Sequence, residues 1–133
     1  MALSGAFWGN EITAVSCGRK YSSSIGIVDP KTGQSWLIDA TPDFASQLNI
    51  LENAHNTKLS GIFLTHAHIG HYVGLLQLGR EVMGAKGMPV YAMPKMKAFL
   101  SNNSPWNQLL SIGNIKIQNL QDSKEIKLTS RMY

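Results

Sequence analysis

The 133-residue chain has a single cysteine, Cys17, which excludes an internal disulfide framework and any multi-cysteine zinc site. That thiol reads as a small buried or idle side chain. Charge is also scarce: 15% of residues are charged, with 12 Lys plus Arg against 8 Asp plus Glu and a formal net charge of +4. The basic residues are scattered without a block of like charge, so no nucleic-acid footprint is drawn. No stretch approaches the roughly 18 consecutive apolar residues of a membrane-crossing helix. Met1 to Asn10 has neither a basic flank nor a long apolar segment, so no secretory signal is read there and a cytoplasmic chain is the default expectation. The glycines form no phosphate loop, and no serine sits in a nucleophile elbow. Arg80, Lys95 and Lys97 read as a solvated face rather than an anion site. Against these absences, 44% hydrophobic residues provide for a real core, and the length suits one domain spanning residues 1–133.

The order of elements is legible from turn chemistry and periodicity. Ser22 to Asp29 and Trp36 to Ala40 are apolar runs separated by Pro30-Lys31-Thr32-Gly33, which predicts a β-hairpin. Thr41-Pro42-Asp43 has the hydroxyl cap, first-turn proline and early carboxylate of a helix start. Phe44, Leu48 and Leu51 then fall on one helical face, and His55 on its last turn reads as a terminal histidine satisfying carbonyls. Gly61 to Leu64 is wholly apolar, as in a strand covered on both faces by helices. A helix is expected from His71 to Met83 with Tyr72, Leu75, Leu76, Gly79 and Met83 as its core stripe. Pro89 to Ala92 predicts a strand, Pro94 to Leu100 and Pro105 to Ser111 short helices. Ile115 with Ile117, and Ile126 with Leu128, predict two half-exposed strands joined at Gln121-Asp122-Ser123. The alternation is that of an α/β protein with a mixed sheet.

Three of the four histidines lie in Thr65-His66-Ala67-His68-Ile69-Gly70-His71, directly after the apolar run. Residues i and i+2 of an extended backbone point the same way, so His66 and His68 can converge on one ion while His71 approaches from the next element. Imidazole nitrogen suits zinc, iron and related divalent metals. The carboxyl end of a buried strand is where open α/β sheets gather their sites. Asp39 is a candidate acceptor that stiffens this loop, or equally a residue that only caps its strand end.

The stretch Gly61 to Leu75 resembles the strand, histidine loop and helix of the metallo-β-lactamase-fold hydrolases, whose signature is His-x-His-x-Asp-His. Trp36 to Asp43 is similar to their earlier strand ending in Asp. Arg19 to Ser24, with Thr41 to Leu48, resembles the branch of pyrroloquinoline quinone biosynthesis protein B-like proteins. The resemblance implies an αββα sandwich, of which this chain supplies the N-terminal half, and a divalent metal, zinc before iron or manganese, held by His66, His68 and His71. Two departures accompany it. Gly70 stands where the family carries the Asp that serves a second metal, and no histidine follows His71 to match the family's later ligands.

Two function classes follow from the resemblance. The first is the N-terminal part of a metal-dependent hydrolase acting on a small-molecule substrate of unread identity. The alternative, favoured by Gly70 and the absent ligands, is a non-catalytic metal-binding or interaction module. Phosphodiester cleavage ranks behind both, because it wants a clustered basic channel. A half-sandwich also leaves a sheet face bare, so self-association or a covering partner is expected.

Overall fold

The computed structural model describes Ser4–Phe7, Asn10–Thr13 and residues 21–133; Cys17 and Arg19 lie outside the described residues. Ser4–Phe7 (β1) pairs antiparallel with Asn10–Thr13 (β2), and β2 in turn with Ile25–Asp29 (β3). The expected hairpin joins β3 to Gln34–Ile38 (β4), with Ile27 opposite Trp36. Gly33 closes its turn at φ +68°, a left-handed conformation in which a Cβ would be strained. Its N–H donates to the Asp29 carbonyl across 2.9 Å.

From β4 onward the pairing turns parallel. Lys58–Phe63 (β5), Met88–Ala92 (β6) and Ile115–Asn119 (β7) are added in sequence order, giving a mixed sheet of seven strands among the described residues. Parallel neighbours require crossovers. These are the helix Phe44–His55 (α1), a pair of 3-10 turns at Ile69–His71 and Val73–Leu78, and the helices Pro94–Asn102 (α2) and Trp106–Ser111 (α3).

The crossovers build one core on one face of the sheet. Phe44, Leu48 and Leu51 of α1, Leu75 and Leu78 of the second 3-10 turn, Leu100 of α2 and Trp106 of α3 join Leu37, Ile62, Val90 and Ile115 in a single cluster. Fully burying such a side chain contributes roughly 1.5–3 kcal/mol. Alternation along the strands sends Phe63 and Tyr91 to the opposite face. There they stack with ring centroids 4.3 Å apart and planes within 9°, and both are half-buried. The expectation of helices on both sides of β5 is therefore corrected: every described helix packs into the one cluster.

Three local expectations also change. The hydroxyl of Thr41 accepts the Asp43 N–H at 3.2 Å, but the helix itself begins at Phe44 with Asp43 as its cap residue. The helix expected over His71 to Met83 is instead a run of 3-10 turns. A Cβ on Gly74 would lie 2.2 Å from the Thr41 carbonyl oxygen and 2.8 Å from Phe44 Cβ, so this segment threads tightly against the start of α1. Its backbone groups are committed to that neighbour: Gly74 N–H donates to Ala40 O at 2.9 Å and Ala40 N–H to His71 O at 2.8 Å. Tyr72 and Leu75 are buried as expected, whereas Met83 is exposed. Finally, residues 124–128 form no strand. The Leu128 N–H donates to Met132 O across 2.9 Å, folding the segment on itself, and Arg131 is hydrogen-bonded to the buried Asp29 carboxylate.

Candidate metal centre

The parallel strands β4, β5 and β6 end together, and the chemistry-bearing residues follow those ends. Immediately after β4, Asp39 takes φ 69°, a left-handed conformation that short polar residues tolerate better than others. Its N–H still bonds the Phe63 carbonyl at 2.7 Å, so the chain turns sharply while remaining tied to β5. The turn aims the carboxylate, whose side chain is only 7% exposed, at the loop that follows β5.

That carboxylate organises the loop. Thr65 N–H donates to Asp39 Oδ1 at 2.9 Å, and the Thr65 hydroxyl lies 2.8 Å from Asp39 Oδ2. His71 Nδ1 is 2.8 Å from Asp39 Oδ2, so His71 donates there and presents Nε2 on its far side. A carboxylate behind an imidazole is the arrangement that orients metal-binding histidines and makes them more basic.

His66 and His68 meet as the extended-backbone spacing predicts. His66 Nε2 and His68 Nδ1 are 2.9 Å apart, and the ring of His71 lies 4.0 Å, centroid to centroid, from that of His66. Two imidazoles on one tetrahedral ion at about 2.0–2.1 Å each would hold their nitrogens about 3.4 Å apart. The pair thus fits one edge of such a site after opening by about half an ångström. Among the described residues, no group of three His, Cys, Asp or Glu side chains is arranged to hold an ion. The donor set is partial: two converging nitrogens, with His71 turned toward Asp39.

The remaining histidine is elsewhere. His55 closes α1, which returns from the carboxyl end of β4 to the amino end of β5, so topology puts it at the opposite end of these strands. Arg80 and Lys95 are exposed, consistent with a solvated face. Thr65 is the site residue that composition and spacing did not single out. The available signal was a hydroxyl immediately before the first histidine, at the end of a strand adjacent to one ending in Asp.

The beta-lactamase superfamily domain matches residues 35–132. The chain belongs to that superfamily. Zn(2+)-bound PqqB from Methylobacterium extorquens aligns at a TM-score of 0.59 with 25% identity, covering 74% of this chain and 36% of that one. The metallo-beta-lactamase fold protein YhfI from Bacillus subtilis aligns at 0.57 with 19% identity, covering 84% of this chain and 43% of that one. No curated protein sequence matches it. The chain therefore spans less than half the length of each of these two structures, and the observed mixed sheet with flanking helices is a partial metallo-β-lactamase fold.

Gly70 is the position at which the resemblance of the histidine loop implied a carboxylate. A Cβ there would meet nothing within 4 Å, so no packing contact demands glycine at this position.

Proposed function

We propose that this chain supplies the histidine-bearing part of a metal-dependent hydrolase of the metallo-β-lactamase fold. The observation that carries the reading is the 2.9 Å approach of His66 Nε2 to His68 Nδ1 at the carboxyl end of β5. The similarity to a zinc-bound protein supports it further. His66 and His68 would hold a divalent metal, zinc before iron or manganese, and His71 would be a weaker third donor. When bound, such an ion supplies Lewis acidity and an activated water for attack on an electrophilic small molecule. The chain's own contribution is orientation. Asp39 holds His71 and Thr65 in place, and Gly70 leaves the loop without a carboxylate to manage a proton. The ligands that complete the shell come from outside the described donor set, either water or another polypeptide segment.

A second reading, a non-catalytic metal-binding or interaction module, is favoured by Gly70 and by the partial donor set. In either case a partner, a second copy of the chain among the options, would cover the half-buried Phe63 and Tyr91 face.

Metal analysis after dialysis against zinc separates these readings from an adventitious histidine loop. The expected result is at most one zinc per chain, lost in both His66→Ala and His68→Ala. Retention of full metal content in both variants would overturn the assignment. A screen over esters, lactones, thioesters and phosphodiesters then divides enzyme from module, turnover abolished by His66→Ala deciding for the enzyme.

A further inference from the structure

Thr65 brings one hydroxyl proton to a position with several acceptors. Its Oγ1 lies 3.0 Å from Asp39 Oδ1, 2.8 Å from Asp39 Oδ2 and 2.8 Å from His66 Nδ1. A carboxylate can only accept, so the hydroxyl proton must point to Asp39; otherwise two bare oxygens would face each other at hydrogen-bond distance. The same oxygen is then an acceptor toward His66, and Nδ1 has to carry the imidazole proton. A neutral imidazole has one proton, so Nε2 of His66 is bare. Nε2 is the atom that faces His68.

We propose that Thr65 is a positioning residue: by donating to Asp39 and accepting from His66 Nδ1 it fixes the Nδ1–H tautomer of His66 and leaves the Nε2 lone pair free to bind a cation. This rests on the reading of His66 as a metal ligand and adds the device that prepares it. An imidazole free in water prefers the opposite tautomer, with the proton on Nε2, so the hydroxyl changes the state of the ring as well as its angle. One carboxylate then governs two histidines, His71 directly and His66 through Thr65. In the metal-free chain the bare Nε2 accepts the His68 Nδ1 proton, and an entering cation displaces that contact. Thr65 is itself exposed, so its hydroxyl can be removed without opening the core.

The test reads the tautomer without any metal. Long-range proton–nitrogen correlation spectra of the metal-free 133-residue chain, labelled with nitrogen-15 histidine, distinguish a bare ring nitrogen from a protonated one, and the resonances missing in His66→Ala assign His66. The expected spectrum shows His66 as Nδ1–H in the wild type and in Thr65→Ser, and a shift toward Nε2–H in Thr65→Val. Zinc affinity should fall about 10–100-fold in Thr65→Val, as is typical when a partner behind a ligand is lost, and recover in Thr65→Ser. A wild-type His66 protonated on Nε2, or a Thr65→Val tautomer identical to wild type, would overturn the proposal. If Thr65→Val does not fold, the wild-type and Thr65→Ser spectra still decide. An Nδ1–H His66 that binds no zinc would sink the metal-site reading and leave the tautomer assignment standing.

Discussion

His71 and Asp39 are 32 positions apart in sequence, yet His71 Nδ1 lies 2.8 Å from Asp39 Oδ2. The contact exists because β4 and β5 run parallel and end together, and because Ala40 N–H is bonded to the His71 carbonyl at 2.8 Å. A backbone bond and a side-chain bond thus fasten the same two segments.

Removal of the Asp39 carboxylate should loosen the whole loop. Asp39→Ala removes the acceptor of the Thr65 N–H and the His71 Nδ1–H; Thr65 is exposed and His71 half-buried, so water can re-solvate both and each lost hydrogen bond costs about 0.5–1.5 kcal/mol. Asn accepts left-handed backbone and retains one acceptor oxygen, so Asp39→Asn should lose less stability than Asp39→Ala. Urea denaturation of the two variants measures both losses; equal midpoints for Asp39→Ala and wild type would refute this role.

Gly70→Asp is expected to be nearly neutral for folding, within about 0.5 kcal/mol as for surface substitutions, because a Cβ there has open space. The new carboxylate should raise zinc retention on dialysis without conferring turnover on this chain by itself. A drop in zinc retention would show that the loop is not arranged as the superfamily pattern implies.

Gly74→Ala should be among the most damaging single-methyl changes in the chain. Its Cβ would sit 2.2 Å from a backbone oxygen and 2.9 Å from the Ala40 carbonyl carbon, neither of which is a flexible side-chain end. Overpacking typically costs 1–3 kcal/mol, occasionally more, so a loss of about 2 kcal/mol or greater is expected in thermal or urea unfolding. A stable variant would mean that α1 and the 3-10 segment separate easily.

Asp29 predicts an acid sensitivity. Desolvation in its buried position pushes the carboxyl up, but the nearby Thr129 hydroxyl, the Lys31 N–H donating to Oδ1 at 3.1 Å, the charge of Arg131 and the Thr32 hydroxyl together outweigh it and hold the group below its ordinary value. A carboxylate depressed on folding contributes stability that is present at neutral pH and is lost as pH falls through the folded value. Urea midpoints followed into the acid range should decline as pH falls from the ordinary carboxylate value toward the lowered folded one, and Arg131→Met, which brings the folded value back toward the ordinary one, should shrink that decline. An Arg131→Met profile superimposable on wild type would show that the arginine does not hold the carboxylate.

Periodicity and turn chemistry determine most of the elements from the sequence alone: Pro30 to Gly33 encodes the hairpin, Phe44, Leu48 and Leu51 encode α1, and the run through Leu64 encodes the strand beneath the histidines. These are local facts, set by φ preferences and by which face can be apolar. The pairing of His66 with His68 is also local, because an i to i+2 spacing is a property of extended backbone. The failures are nonlocal. Residues 71–83 have the stripe of a helix, but the close passage of Gly74 over Thr41 takes their backbone bonds elsewhere. Ile126 and Leu128 alternate like a strand, but pairing requires a neighbour, and their segment folds on itself instead. Tertiary structure alone decided that Asp39, Thr65 and His71 share one hydrogen-bonded centre. No spacing rule links position 39 to positions 65 and 71; only the parallel register of β4 and β5, and the left-handed turn at Asp39, bring that carboxylate to the loop.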